Sequence, residues 1–233
     1  MAHLYDTHFH LDLQKDRVAA IREIENNQIY TIAVTNLPDL YKKETAEINS
    51  KYIRFALGFH PELIHQYKKQ IPLMWELLPE TRYVGEVGLD FVEETYKTEQ
   101  TVFFSELIER CRYDGNKILT IHSRRAVREV LNIIGDDFKF KPILHWFTGN
   151  TVELQEAVEK GYYFSVNGAM MASKRAINML DLIPNERVLI ETDSPFTYLQ
   201  GSYSNTLSRI ENILVEKKNG VDVWNNFKEI LSK

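Results

Sequence analysis

Cysteine and long apolar segments are scarce in this sequence. The one cysteine in 233 residues, Cys111, excludes an intrachain disulfide and is typical of a reducing compartment. Its neighbours have a helical pattern, which predicts a small, buried, apolar side chain. No apolar run approaches the ~18 residues that a membrane-spanning helix needs, and the N-terminus is polar from residue 5, unlike a signal peptide. These absences predict a cytoplasmic protein that makes no contact with a membrane.

The signatures of several common enzyme classes are also missing. There is no G-x-S-x-G nucleophile elbow, no P-loop and no G-x-G-x-x-G fingerprint, and no pattern points to an organic cofactor. The 28 Lys and Arg residues are outnumbered by 33 Asp and Glu residues, which gives a net charge of −5. This balance argues against coating nucleic acid by charge alone, although bound metal cations would reverse the field around an active site.

Short runs rich in apolar and β-branched residues alternate with amphipathic stretches of helical spacing, several of which end in glycine. Eight such strand–helix units predict an α/β fold, a (β/α)8 TIM barrel, with a doubly wound open sheet as the alternative. No linker divides the chain, so we expect one domain over residues 1–233. The predicted strands are residues 4–10, 30–37, 53–62, 83–90, 117–123, 141–148, 162–168 and 187–195. The clearest predicted helices are residues 15–27, 97–115, 124–137, 150–161 and 173–184, with 204–218 and 221–231 closing the barrel.

Histidines and carboxylates collect at the C-terminal ends of the predicted strands, where enzymes of this fold carry their active sites. His8 and His10 are two residues apart, so in a strand they point to the same face. Singly, each polar residue has an ordinary explanation: a hydrogen-bonded histidine, half of an ion pair at Glu86, or a helix cap at Asp193. Five of the seven histidines and four carboxylates lie at these ends: His8, His10, His60, Glu86, Asp90, His122, His145, Glu191 and Asp193.

Divalent metal explains this set as a whole, because buried carboxylates without partners are costly. One ion needs only three or four protein ligands, so the larger number of candidates predicts two ions. The candidate ligands are His8, His10 and Asp193 for one ion, His122 and His145 for the other, and Glu86 as the bridge. Imidazole and carboxylate ligands permit Zn²⁺, Mn²⁺ or Mg²⁺, and two such ions can generate hydroxide at neutral pH.

Three further residues near these strand ends are candidates for contact with substrate. His60 is needed by neither ion. Arg124 follows His122 closely, and the guanidinium group suits phosphate oxygens, although Arg124 could instead pair with a glutamate of its own helix. Trp146 could stack on a base or pack in the core.

Six motifs in order carry a resemblance to a known family: DTHFHLD, GFHPE, GEVGLD, IHSR, HWFTG and ETDSP. Together they resemble the TatD family of metal-dependent nucleases, from residue 5 to about 195. The stretches ALGFHPEL, LLPETRYVGEVGLD, IHSRRA and LHWFTG are similar to QatD, the TatD-like component of bacterial Qat anti-phage defence systems. The resemblance implies a TIM barrel of the metal-dependent hydrolase type that cleaves DNA phosphodiester bonds, often as a 3′–5′ exonuclease.

The resemblance also implies residue roles and partners. Glu86 and Asp193 match the catalytic carboxylates, and Asp193 also matches the group that takes the proton from the attacking water. His60 and Arg124 match residues that contact substrate phosphate. The implied partners are DNA or another nucleotide-containing substrate and other Qat-system proteins. The residues that match metal ligands are His8, His10, Glu86, His122, His145 and Asp193.

Two stretches depart from the family pattern and keep other functions open. Residues 91–95, FVEET, are acidic where many members carry basic residues, and residues 196–206 contain no basic residue. One alternative is a metal-dependent hydrolase of a small ester, amide or aminoacyl substrate on the same barrel, since a fold does not fix a function. The other is a subunit of a defence complex that mainly binds partner proteins.

Overall fold

The computed structural model describes residues 4–197 and 201–232, so the ends of the predicted 1–233 domain and residues 198–200 lie outside the described residues. Its eight strands form two hydrogen-bonded groups, β1–β3 and β4–β8, and within each group every strand pairs in parallel with its neighbour in the sequence. The strands are β1 (Tyr5–Phe9), β2 (Tyr30–Val34), β3 (Ile53–Ala56), β4 (Tyr83–Gly88), β5 (Ile118–His122), β6 (Lys141–His145), β7 (Tyr163–Val166) and β8 (Val188–Ile190).

Backbone hydrogen bonds join the two groups at both of their junctions. Between β3 and β4, the Leu57 amide donates to the Tyr83 carbonyl at 2.9 Å, and the Gly85 amide donates to the Leu57 carbonyl at 2.9 Å. Between β8 and β1, the Asp193 amide donates to the His8 carbonyl at 2.9 Å. The resulting ring of parallel strands in sequence order confirms the predicted TIM barrel and not the open sheet.

Helices connect the successive strands, as parallel pairing requires. They are α1 (Arg17–Asn27), α2 (Pro38–Glu47), α3 (Ile64–Tyr67), α4 (Ile71–Leu77), α5 (Lys97–Cys111), α6 (Val127–Ile134), α7 (Thr151–Glu159), α8 (Gly168–Ala172), α9 (Lys174–Leu180), α10 (Tyr203–Lys217) and α11 (Val223–Leu231). The predicted helices are confirmed within a few residues at each end. None of the helices in the described ranges has the length and apolar character needed to cross a bilayer.

The connection between β3 and β4 differs from the regular helical pattern because prolines interrupt it. Pro61, Pro72 and Pro79 divide residues 61–80 into α3, α4 and three short 3₁₀ turns. Cys111, at the end of α5, is fully buried as predicted, and burial raises the pKa of its thiol to about 12.

A buried carboxylate ties β1 to the segment that follows β8. Asp6 accepts hydrogen bonds from the backbone amides of His8 at 2.9 Å and Thr192 at 3.1 Å. It also accepts from the hydroxyls of Thr192 at 2.5 Å and Tyr203 at 3.0 Å. Burial raises the pKa of Asp6 to about 7, although the hydrogen bonds from Thr192 and His8 act to lower it. Because Asp193 directly follows Thr192, these hydrogen bonds also fix the position of Asp193.

Two glycines allow β4 to approach its neighbours closely enough to place Glu86 inside the barrel. A Cβ atom on Gly58 would lie 1.6 Å from the Thr35 carbonyl oxygen and 2.6 Å from the Glu86 amide nitrogen. A Cβ atom on Gly85 would lie 2.0 Å from Cγ2 of Thr120. Neither position can hold a larger residue without moving backbone or side chain.

We expect Gly58→Ala to destabilise the fold severely, because the added methyl group would overlap the backbone of Thr35, directly after β2, and the backbone of β4. Overpacking of this kind costs about 3 kcal/mol, which lowers the Tm by about 6–12 °C in a protein of this size. Thermal unfolding followed by circular dichroism measures the effect. Gly168→Ala is the matched control, because a Cβ atom there meets nothing within 4 Å. An equal Tm for the two variants would contradict this account of the junction.

Candidate metal centre

The C-terminal ends of β1, β4, β5 and β6 and the segment after β8 bring the predicted ligands together. His8 lies in β1, and His10 follows its end directly. Both are buried, and their imidazole rings are 5.1 Å apart between centroids. His145 ends β6 and stacks on His8 with 3.9 Å between the ring centroids. Three of the six predicted ligand positions, His10, His122 and His145, therefore lie at strand ends or one residue beyond them.

Glu86 lies at the centre of this group and presents its two carboxylate oxygens to different histidines. Oε2 is 3.4 Å from Nε2 of His8 and 3.4 Å from Nε2 of His10. Oε1 is 2.7 Å from Nδ1 of His122 and 3.0 Å from Nε2 of His145. The carboxylate of Glu86 thus lies between the two sets of histidines into which the sequence divides the ligands.

Within residues 4–197 and 201–232, three clusters of donor atoms are compact enough to hold a cation. The donor atoms within each cluster lie within 4.8 Å of one another, and the clusters are His8–His10–Asp193, His60–Glu86–His122 and His8–His145–Glu191. The first is the trio that the sequence assigns to one ion. The second adds His60, whose Nε2 is 3.6 Å from Oε1 of Glu86, so its position suits a ligand as well as a substrate contact.

The nitrogen and oxygen atoms of these side chains are arranged to bind a divalent cation. Nε2 of His8 is buried and has no hydrogen-bond partner among the described residues, a state that a bound metal ion would resolve. Asp193 Oδ1 is 3.4 Å from Nε2 of His10 and 3.7 Å from Nε2 of His8. A set of imidazoles and carboxylates without cysteine matches the ligands that Zn²⁺ and Mn²⁺ accept.

The histidines fall into two groups by the direction of their pKa shifts. Burial lowers the pKa of His8 and of His60 to about 4, which leaves both rings neutral at pH 7. Burial also acts on His122 and His145, but hydrogen bonds and nearby carboxylates raise the pKa of both above the usual value. Glu86 is buried, yet His60, His145 and His8 hold the pKa of its carboxyl well below the usual range.

A second layer of side chains orients the imidazole rings. The Thr120 hydroxyl is 2.7 Å from Nδ1 of His8, and Asp90 Oδ2 is 2.7 Å from Nε2 of His122. Glu191 lies 3.6 Å from Nδ1 of His145 and accepts from the Asn167 side chain at 3.0 Å. Such contacts fix the nitrogen that faces a metal ion. The sequence predicts Asp90 and Glu191 at this end of the barrel without a role for either. It gives no signal for Thr120, which has the alternating pattern of an ordinary strand residue.

A sequence model of the TatD related DNase family matches residues 5–219. The chain belongs to the TatD related DNase family. Among its relatives, the uncharacterized metal-dependent hydrolase YabD of Bacillus subtilis is 28% identical over 83% of this chain and 80% of its own length. The 3′-5′ ssDNA/RNA exonuclease TatD of Escherichia coli K12 is 33% identical over 60% of this chain and 56% of its own length. The chain is therefore a metal-dependent hydrolase of this family.

Solved structures show the same fold. The TatD homologue YJJV of Escherichia coli K12 superposes with a TM-score of 0.75 at 20% identity, over 98% of this chain and 95% of the other. An uncharacterized amidohydrolase from Saccharomyces cerevisiae has a TM-score of 0.74 at 16% identity, over 99% and 100% of the two chains. The barrel of this TatD-family member is thus shared with distant hydrolases.

The metal centre of this TatD-family chain opens into a cavity of about 490 Å³. Arg124 lines it and donates through Nε to Asp90 at 2.7 Å and through Nη2 to Glu62 at 2.8 Å. The alternative that Arg124 pairs with a glutamate of its own helix is therefore wrong, because both partners lie on other elements. Trp146 packs against the core and also lines the cavity, and Phe196, 62% exposed, stands at its rim.

The alternative role of Asp193 as a helix cap is also wrong. No helix begins between residues 193 and 197, where the chain instead makes a turn, and the Phe196 amide donates to the Asp193 backbone carbonyl at 2.8 Å. The carboxylate of Asp193 is left facing His8 and His10, in the position that a metal ligand needs.

We expect the affinity for Zn²⁺ to rise with pH between pH 6 and 8. The raised pKa values of His122 and His145 keep these rings protonated at higher pH than a free imidazole, and only the neutral ring binds metal. For each proton that Zn²⁺ displaces from a histidine, the dissociation constant for Zn²⁺ falls about tenfold per pH unit. Competition with a chromophoric chelator measures the constant, and an affinity that does not change over this range would contradict the assignment of imidazole ligands.

Proposed function

We propose that the chain is a two-metal phosphodiesterase that cleaves DNA strands as an exonuclease. The position of Glu86 carries the proposal, because its two oxygens face separate groups of histidines, Oε2 towards His8 and His10 and Oε1 towards His122 and His145. A carboxylate shared in this way is the geometry of a bridge between two cations. Two bound divalent ions about 3.5–4 Å apart would supply hydroxide and stabilise the charge of the attacking and leaving oxygens.

The side chains around the cavity have complementary roles in this proposal. Asp193 takes the proton from the attacking water, since its carboxylate is buried beside His8 and His10 and faces the cavity. Nε and Nη2 of Arg124 donate to Asp90 and Glu62, and Nη1 has no partner among the described residues. Arg124 therefore holds a phosphate oxygen through Nη1. His60 either contacts the same phosphate or completes the ligand set with Glu86 and His122.

The aromatic lining of the cavity and the names of the relatives favour a single strand. Trp146 and Phe196 both line the cavity, and aromatic side chains at such a site can stack on unpaired bases. The TatD protein of Escherichia coli K12 carries the name 3′-5′ ssDNA/RNA exonuclease. We extend that polarity to this chain as part of the proposal, together with one catalytic domain over residues 1–233.

The biological setting that the motifs indicate remains part of the proposal. Similarity of ALGFHPEL, IHSRRA and LHWFTG to the QatD component leads us to propose a role in anti-phage defence, in the cytoplasm and together with other Qat-system proteins. Such partners would also supply basic surface that residues 91–95 lack.

A small ester or amide is the second candidate substrate. The cavity of about 490 Å³ falls within the size range of small-molecule sites. The metal set would serve this reaction equally well, because hydroxide and a polarised carbonyl are all that it needs. The substrate therefore has to be decided by assay.

A nuclease assay with matched variants tests the proposal. Protein loaded with Mg²⁺, Mn²⁺ or Zn²⁺ is incubated with end-labelled single-stranded and double-stranded DNA, and elemental analysis counts the bound ions. We expect two ions per chain and a ladder of products shortened from the 3′ end. Glu86→Ala and Asp193→Ala should each lower kcat at least about 10³-fold, as expected for loss of a group that acts at the reacting atoms.

Glu106→Ala is the control for these variants, because Glu106 is exposed on α5 and, among the residues that the structure describes, pairs only with Arg110 at 2.6 Å. It should cleave DNA at the rate of the unchanged protein. Absence of cleavage with all three metals, in protein that holds two ions, would reject the nuclease proposal. Hydrolysis of small esters or amides by the same protein would then support the second candidate.

A further inference from the structure

A second, smaller cavity adjoins the metal centre and is lined by three arginines. Its volume is about 280 Å³, and it shares Thr148 with the larger cavity. Arg125 comes from the loop after β5, Arg128 from α6 and Arg175 from α9. We call these three side chains and the cavity between them the arginine pocket.

The arginines differ in how far their donors are already used. Arg125 is exposed and makes no hydrogen bond or ion pair with residues 4–197 or 201–232. Arg175 donates through Nη2 to the carbonyls of Gly149 at 2.8 Å and Thr148 at 3.5 Å, and its other nitrogens have no partner within the described ranges. Arg128 is paired with Glu156. The arginine pocket therefore has a fully available guanidinium group and part of a second.

The acidic groups near the arginine pocket do not cancel its charge. Glu153 also lines it, but Oε2 of Glu153 accepts a hydrogen bond from the Asn150 amide at 2.8 Å in the capping box of α7. Glu156 is shared between Arg128 and Lys160, whose Nζ lies 3.2 Å from Oε1 of Glu156. The three arginines thus outnumber the two nearby carboxylates, Glu153 and Glu156, in a protein whose overall charge is −5.

On the side of β3 and β4, Glu62 lines the metal-centre cavity and is paired with Arg124 at 2.8 Å. The loop after β4 carries Glu93 and Glu94, of which Glu94 pairs with Lys97 at 2.6 Å. The available guanidinium groups of the arginine pocket therefore attract a negatively charged strand that reaches the metal centre towards β5, β6 and β7. The shared residue Thr148 provides a continuous surface from the metal centre to the arginine pocket.

We infer that the arginine pocket is a subsite for a backbone phosphate of a single-stranded nucleic acid, beyond the phosphate at which cleavage occurs. The inference rests on the proposed phosphodiesterase function and deepens it, because it makes an extended strand the substrate and gives the direction in which that strand leaves the metal centre. Planar guanidinium groups suit phosphate oxygens, and the backbone of DNA and of RNA offers the same group at this position.

Binding of oligonucleotides that resist hydrolysis tests the inference. Fluorescently labelled phosphorothioate dT12 and dT2 are titrated with the metal-loaded protein, and anisotropy gives the Kd. We expect Arg125→Ala to raise the Kd for dT12 about tenfold through loss of a charge-assisted hydrogen bond, and to raise the Kd for dT2 by much less. The slope of log Kd against log salt for dT12 should fall by about 0.7, the value for one contact with a single strand. Arg125→Lys should restore part of the affinity.

Arg22→Ala is the control, because Arg22 is an exposed arginine of α1, outside both cavities. An unchanged Kd and salt slope in Arg125→Ala would overturn the inference. Equal weakening of dT12 and dT2 would also overturn it, because the contact would then be at the cleaved phosphate. Failure of the proposed function is seen separately, as absence of cleavage of unmodified dT12 by protein whose binding still depends on Arg125.

Discussion

Burial of the Glu86 carboxylate is the constraint on which the rest of the site depends. A buried carboxylate costs several kcal/mol unless charged or polar partners surround it, and Glu86 is only 3% exposed. The partners are imidazoles from three other strands, His8 and His10 at one oxygen and His122 and His145 at the other. Because these strands are distant in the sequence, the closed barrel is what holds the ligands at matching distances.

Packing and hydrogen bonds around the barrel hold Glu86 and the side chains next to it in place. The absence of a side chain at Gly58 lets β4 lie against the backbone of Thr35, so that Glu86 enters the barrel. Asp6 fixes the segment that carries Asp193 through the amide and hydroxyl of Thr192. The Thr120 hydroxyl, 2.7 Å from Nδ1 of His8, turns the other nitrogen of that ring towards Glu86. Stability and function therefore depend on the same contacts.

Much of this could be predicted from the sequence because the carboxyl ends of parallel strands meet at one end of a barrel. His122 and His145 at the ends of β5 and β6 illustrate the rule. Features that depend on side-chain direction could not be predicted. Whether Arg124 turns to its own helix or to Asp90 depends on the packing of the loop after β4. The arginine pocket was missed for the same reason, since Arg175 is distant in sequence from Arg125 and Arg128 and meets them only in the folded barrel.

The most direct test of the account is electron paramagnetic resonance of the protein loaded with two equivalents of Mn²⁺. If Glu86 bridges two ions at the two-metal separation of about 3.5–4 Å, the spectrum should show exchange coupling between the two manganese ions. Spectra of isolated Mn²⁺ ions at two equivalents, or saturation at one ion per chain, would contradict the central claim that Glu86 joins two metal sites.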